Sequence, residues 1–249
     1  MPVREWDGTS YDRISGPQEQ MGLEVLSRLD LAGDERVLDV GCGSGRITEA
    51  LLARVPRGSV IAVDESESMA TAARTRLGPG VEVLVADVLQ LELDEPFDAI
   101  ISTATFHWIS DHERLLSTLH GLLRAGGRLV AQCGGEGNID GLRGRAADVL
   151  ARDPYVEHMG GWRPPWNYAG PDLTRRRLLA AGFTAADCAL QPYPVQPAEP
   201  REFLATIILE PHLRQLPERL REPFMDELMG ELGEPVVVDY VRLNIDAVA

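Results

Sequence analysis

With 249 residues and 44% hydrophobic content, the chain is long enough to bury the core of one α/β domain and carry an elaboration on it. Its formal net charge of −15 disfavours nucleic acid, whose binding draws on phosphate neutralisation, and no apolar run approaches the ~20 residues of a membrane span. All 24 basic residues are arginine, and the lack of lysine excludes a P-loop ATPase, a pyridoxal-phosphate Schiff base and a tyrosine–lysine dehydrogenase, each of which needs an ammonium.

A helical pattern over Pro17 to Leu31, with Met21, Val25, Leu26 and Leu29 on one face, leads into a first strand, Val37-Leu38-Asp39-Val40. That strand breaks into Gly41-Cys42-Gly43-Ser44-Gly45, and the apolar positions Ile47, Leu51 and Leu52 of a new helix follow at once. Glycine lets the backbone turn tightly and approach a ligand closely, and the helix start presents unpaired N–H groups. The second strand, Val60 to Val63, ends in Asp64, and Ser66 then precedes a helix holding Met69, Ala72 and Ala73. A third, Val81 to Val85, ends in Ala86-Asp87-Val88, and a fourth, Phe97 to Ser102, leads into Thr103-Ala104-Thr105-Phe106-His107-Trp108. A helix, a turn at Gly126-Gly127 and a fifth strand come next. Strands alternating with helices at this spacing predict a mostly parallel α/β sheet.

The pattern loosens after Gln132. Residues 134–170 read as a loop-rich cover containing an aromatic knot, Trp162-Arg163-Pro164-Pro165-Trp166-Asn167-Tyr168. Asp172 to Ala181 is a short helix stopped by Gly182, and Phe183 to Leu190 a sixth strand. Pro192 to Pro200 is a proline-punctuated linker, followed by amphipathic helices over Glu202 to Leu209 and Pro217 to Leu232. Alternating apolar residues from Val236 to Val248 predict the closing strand. The expected organisation is a single domain over 1–249, elaborated by the 134–170 cover and a helical lid over 197–235.

The chemistry lies at the strand tips. A dinucleotide fingerprint needs a third glycine where this chain has Arg46, and Asp39 would repel a pyrophosphate while holding an amino group or a sulfonium. The run Asp39-Val40-Gly41-Cys42-Gly43-Ser44-Gly45 resembles motif I, D/E-x-G-x-G-x-G, of the class I S-adenosylmethionine-dependent methyltransferases. The resemblance implies a Rossmann-like seven-stranded methyltransferase sheet with helices on both faces, with S-adenosylmethionine as cofactor and S-adenosylhomocysteine as product. It assigns the amino-acid end of the cofactor to Asp39, Gly41, Cys42 and Gly43. The ribose falls to Asp64, nineteen residues beyond Gly45, with Glu65 beside it, and the adenine to Asp87 and Val88. Met69 and Thr103 complete the cofactor site. Read without the resemblance, Asp64 and Ser66 are helix caps and Asp87 forms a turn.

From Tyr11 onwards the chain resembles the branch containing the trans-aconitate 2-methyltransferases, on Tyr11, Phe106-His107-Trp108, the block Asp111-His112-Glu113-Arg114-Leu115-Leu116, and the late helices. Tyr11 and Gln18 are thereby added to the cofactor site. The branch carries arginines in its first helix, suited to a polycarboxylate, where this chain has Gln18 and Gln20, which bring no charge. Arg143, Arg145, Arg152 and Arg163 are the alternative source of charge, or else a solvated helix face. His107 is the candidate catalytic base if the acceptor needs one; otherwise it packs beside Trp108 and bonds to backbone. Trp108, Trp166, Tyr168 and Arg163 are the candidate acceptor-binding residues, with Trp162 nearby, and His112, at a helix start, reads as a surface residue.

Cys42, Cys133 and Cys188 form no paired framework, and Met1 to Ser10 contains no apolar signal core, so reduced thiols and a cytoplasmic location are expected. The expected protein is a monomer or homodimer that methylates a small-molecule carboxylate or hydroxyl oxygen, with neither nucleic acid nor membrane as partner. A cofactor-binding protein without catalysis and a carbon or nitrogen methyltransferase are the alternatives.

Overall fold

The computed structural model describes residues 16–249. Seven strands, β1 (Arg36–Val40), β2 (Ser59–Asp64), β3 (Glu82–Val85), β4 (Phe97–Thr103), β5 (Leu123–Gly134), β6 (Ala185–Val195) and β7 (Val238–Val248), form one sheet in the order β3-β2-β1-β4-β5-β7-β6. The first five pair in parallel, and β7 runs antiparallel to both β5 and β6. Chain order reverses between β1 and β4, and ligands of open α/β sheets bind at the carboxyl tips beside such a switch.

The helices are amphipathic and sort onto the two faces. α1 (Gly16–Ser27) and α2 (Arg46–Arg54) bury Val25, Leu26, Ile47 and Leu51 against Val37, Ala99, Ile101 and Val130. On the opposite face, α4 (His112–Leu122) and α7 (Pro171–Ala181) bury Leu115, Leu119 and Leu178 against Leu38, Ile100, Leu129 and Leu243. α3 (Glu67–Leu77) packs Ala70 and Ala73 on Ala62 and Val83. Ser66 caps it, its Oγ accepting from the Met69 N–H at 3.3 Å. The predicted sheet class is thus the observed one. The sixth strand runs on to Val195 through Pro192 and Pro194, because β6 is an edge strand and its outer positions need no N–H donor.

Three expectations are corrected. Residues 134–170 are not simply loop: α5 (Asp140–Leu150) lies within them, and a short α6 (Val156–Met159) follows. Gly141 and Gly144 obscure α5 in the sequence, yet Leu142, Ala146, Val149 and Leu150 keep the helical spacing and are buried. The helix predicted over Glu202 to Leu209 is a short α8 (Pro200–Phe203) that widens into a π-turn at Leu204–Ile208, with Leu209 N–H donating to the Leu204 carbonyl at 2.7 Å. Pro211 then starts α9 (Glu210–Gln215), and having no N–H it cannot continue the α ladder. The third correction is His112, which is buried rather than exposed, with Nε2 2.9 Å from the Phe106 carbonyl.

α10 (Glu218–Leu232) packs Leu220, Phe224 and Leu228 with Leu142 and Val149 of α5, building a second core that also takes in Met21 of α1 and Tyr240 of β7. Because β6 ends at Val195 and β7 starts at Val238 beside the β5 tip, the segment between them leaves and re-enters the sheet at its carboxyl end. No helix among the described residues is long and apolar enough to cross a membrane.

Candidate active site

The loop after β1 is pinned before it turns. Gly41 and Cys42 N–H groups both donate to the Val63 carbonyl, at 2.8 and 3.0 Å, and Gly45 N–H donates to the Cys42 carbonyl at 3.0 Å. Gly41 has φ +72°, and a Cβ there would lie 2.0 Å from Thr105 Oγ1. Gly43, at φ +55°, faces open space, whereas Gly45 lets α2 approach α3 at Ala73. Two of the three glycines therefore shape the turn and its mouth, and the third serves packing. The Cys42 side chain is buried with the Ala62, Ala70, Ala73 and Val83 cluster, its Sγ 3.6 Å from the Gly43 carbonyl.

Asp39 is buried at the tip of β1, with Thr48 Oγ1 donating to its Oδ2 at 2.7 Å. Burial, assisted by nearby Asp64, pushes its carboxyl up to about 6. Asp64 joins the loops: its Oδ2 accepts from Gly43 N–H and its Oδ1 from Ser66 N–H, each at 2.9 Å. The exposed Glu65 lies near Asp87 and Asp64; partial burial and then those two charges raise its carboxyl. Asp87 closes its own turn, accepting from Leu89 N–H at 2.9 Å and Gln90 Nε2 at 3.0 Å. Val88, on the turn after β3, and Met69, in the first turn of α3, are both buried. A carboxylate has about four acceptor positions, so these caps do not exhaust Asp64 or Asp87.

Thr103 ends β4, and Ala104 follows at φ +55°, a left-handed conformation that costs a non-glycine residue roughly 1–2 kcal/mol. The strain lies where the glycine loop meets the β4 tip, since Thr105 Oγ1 donates to the Thr103 carbonyl at 3.0 Å and reaches the Gly41 carbonyl at 3.4 Å. From α1, Gln18 Nε2 donates to the Tyr240 hydroxyl at 3.3 Å, and Gln18 Oε1 is buried with no hydrogen-bond partner among the described residues. Tyr11 lies outside the described residues.

Beyond β4 the predicted aromatic knot assembles. His107 is buried, with ring centroids 5.1 Å from Trp108 and 5.8 Å from Tyr168. Trp166 stacks on Tyr168 at 5.8 Å and tilts against Trp108 at 5.9 Å. The His107 backbone carbonyl accepts from Asn167 N–H at 2.8 Å, which holds the knot to the β4 tip. The His107 Nδ1 accepts from Gly134 N–H at 3.3 Å, which places the ring proton of the neutral form on Nε2. Arg163 is exposed. Arg145 and Arg152 pair with Glu231, at 3.9 and 2.8 Å, and so tie α5 to α10.

Arg143 and Arg242 are the cations at this site. The Arg143 guanidinium lies 5.6 Å from the Tyr168 ring centroid, and its Nη1 is 3.0 Å from Asp140. Arg242 is buried on β7, 5.6 Å from the Tyr240 ring, with Nε donating to Gln132 Oε1 at 3.4 Å. Burial pushes the Tyr168 hydroxyl up, and its hydrogen bond with the Asn138 side chain, Arg143 and Arg242 oppose the shift. Sequence periodicity does not announce Arg242, because the apolar phase of the closing strand dominates its pattern. Its other phase, Tyr240, Arg242, Asn244 and Asp246, faces α1 and carries a buried charge. Burial disfavours the thiolate at all three cysteines: it raises Cys42, and pushes Cys133 up to about 12 and Cys188 up to about 11.

The residues fit a cationic, nucleoside-bearing guest. The Gly43 mouth is open, Asp64 holds its N–H, Asp39 and Glu65 both lie within electrostatic reach of Asp64, and Glu65 also of Asp87. Phosphate is disfavoured, because the arginines beside the loop are already engaged, Arg46 with Glu19 and Arg76 with the Ser44 carbonyl and Glu49. Similarity to known proteins agrees. A methyltransferase-domain family matches residues 37–127. An uncharacterised methyltransferase of Schizosaccharomyces pombe is 30% identical over 193 residues, 74% of this chain and 72% of that protein. A trans-aconitate 2-methyltransferase of Methylobacterium nodulans is 37% identical over 130 residues, and the match spans 52% of this chain and half the length of that enzyme. Among solved structures, a Haemonchus contortus phosphoethanolamine N-methyltransferase 2 in complex with S-adenosyl-L-methionine superposes with a TM-score of 0.64 at 18% identity, over 97% of this chain and 56% of that one.

The chain belongs to the S-adenosylmethionine-dependent methyltransferase family. S-Adenosylmethionine is accordingly its cofactor. If Asp64 holds the ribose, Asp64→Ala weakens S-adenosylhomocysteine binding tenfold or more in calorimetric titration, the ~1.4 kcal/mol of a charge-assisted hydrogen bond. A change below threefold would remove Asp64 from the site.

Proposed function

We propose that this protein methylates a carboxylate oxygen of a small molecule. The observation that carries the reading is the pair Arg143 and Arg242 converging on Tyr168 beside His107, two cations in a chain that is strongly acidic overall. When bound, S-adenosylmethionine supplies a methyl group already activated on a sulfonium, so the chain contributes position and shielding rather than a nucleophile. A carboxylate is ionised at neutral pH and needs no base, which matches a histidine whose Nδ1 lone pair is engaged by Gly134. In this reading His107 donates from Nε2 to the acceptor, and the guanidinium groups hold its second oxygen. Trp108, Trp166 and Tyr168 wall the acceptor from water. The helices between β6 and β7 form a lid, since their segment springs from the carboxyl end of the sheet and shares a core with α1 and α5.

The test is turnover of a panel of carboxylic acids, amines and phenols, followed as S-adenosylhomocysteine formed. Arg143→Gln, at a half-buried position, is expected to raise KM for an acid about tenfold, the worth of one charge-assisted contact, and to leave cofactor affinity unchanged. Turnover confined to amines or phenols, indifferent to Arg143→Gln, would overturn the carboxylate assignment.

A further inference from the structure

We infer that the acceptor is a monocarboxylic acid with an apolar tail, its carboxylate at Tyr168 between Arg143 and Arg242 and its tail in a cleft between α5, α6 and α9. The inference rests on the carboxylate reading above and adds the class of acid. The cleft has a volume of about 610 Å³, which falls within the range of small-molecule sites. Ala147, Leu150, Val156, Met159, Trp162 and Pro164 supply an apolar wall. Arg143 borders it and also lies 5.6 Å from the Tyr168 ring, so one side chain is shared by the cleft and the aromatic site.

His212 closes the inner end. It is buried between Trp162 at 4.9 Å and Trp166 at 5.6 Å, and Trp166 in turn stacks on Tyr168. Burial and the charge of Arg143 hold its pKa down at about 4, so the ring is neutral at physiological pH, and Nδ1 has no hydrogen-bond partner among the described residues. A neutral imidazole among tryptophans suits an apolar or weakly polar guest and repels none. Among the described residues lining the cleft, Arg143 is the sole cation, and Asp140 already lies 3.0 Å from it. A second or third carboxylate would therefore meet apolar wall, and burying an unpaired charge there is strongly unfavourable.

The experiment compares butanoate, hexanoate, octanoate and decanoate with propane-1,2,3-tricarboxylate as acceptors, in the unaltered protein and in Ala147→Phe, which fills the cleft from an exposed position on α5. Expected is a rise in kcat/KM of about three- to fourfold per added methylene, corresponding to ~0.8 kcal/mol each. Ala147→Phe should abolish that rise, and an unchanged S-adenosylhomocysteine affinity in calorimetric titration reports that its fold is intact. Octanoate should also quench tryptophan fluorescence of the S-adenosylhomocysteine-loaded protein, and Ala147→Phe should remove the quench. Turnover independent of chain length, or best with the tricarboxylate, overturns the inference and leaves the carboxylate reading standing. Failure of every acid, with cofactor binding confirmed in the same samples, overturns both.

Discussion

Gly41→Ala is expected to weaken S-adenosylhomocysteine binding by more than a hundredfold while the far-ultraviolet spectrum stays that of an α/β fold. Two separate penalties coincide at this position. The backbone sits at φ +72°, which costs an L side chain roughly 1–2 kcal/mol, and a Cβ would lie 2.0 Å from Thr105 Oγ1 and 2.7 Å from Thr105 Cβ. Threonine is too short to swing clear, so either the loop or the turn after β4 must move. That turn already holds Ala104 at a positive φ. Gly43→Ala is the control: the same left-handed region, with nothing within 4 Å of the new Cβ, so it perturbs the mouth of the loop and leaves its frame. Equal losses in affinity for the two variants would show that steric contact with Thr105 is not what makes Gly41 necessary.

Asp39→Asn should move affinity and stability in opposite directions. The buried carboxyl titrates at about 6 in the cofactor-free protein, against a reference value of 3.8. Between those values the folded chain holds more protons than the unfolded one, so its stability falls as pH rises from about 4 through 6. Asparagine removes that penalty and should raise the thermal midpoint of the cofactor-free protein at pH 7.5. A cationic ammonium beside Asp39 favours the ionised form, so cofactor binding expels a proton at low pH, and affinity should fall below pH 6 by up to about tenfold per unit. In Asp39→Asn that pH dependence should vanish, with affinity at pH 7.5 lower by roughly 30- to 100-fold, or 2–3 kcal/mol. Titrations in two buffers of different ionisation enthalpy would expose the proton; none released at pH 5.5 would place the cofactor's charge elsewhere.

The strand tips were legible because their chemistry is local. A turn that needs glycine must show glycine, and an acid at the end of an apolar run stands out against it, so Asp39, Gly41, Gly43, Asp64 and Asp87 could each be found from their neighbours. Local reading also has a cost, since Asp64 and Asp87 do form the caps and turns that their alternative readings described. The proposed acceptor side is less legible because it is made by distant pieces. Tyr168 meets Arg143 from α5 and Arg242 from β7, and no spacing in the sequence announces that meeting. α5 was hidden for a different reason: two glycines and a start at Ile139, a β-branched residue at φ +53°, give a helix without the usual signals. His112 departs from expectation because a helix start is normally wet, whereas here the ring is buried and holds the Phe106 carbonyl.

The reversal of chain order between β1 and β4 has a consequence for how such a protein diversifies. Asp39, Asp64 and Asp87 stand at the tips of β1 to β3 on one side of the reversal, while Tyr168, Arg143, Arg242 and His212 come from elements beyond β4. The family match, residues 37–127, ends before any of the latter. On the proposed reading, donor recognition and acceptor recognition thus fall on separable stretches of one chain. Changes in the segments after β5 should then retune acceptor choice while leaving the glycine loop and its carboxylates in place.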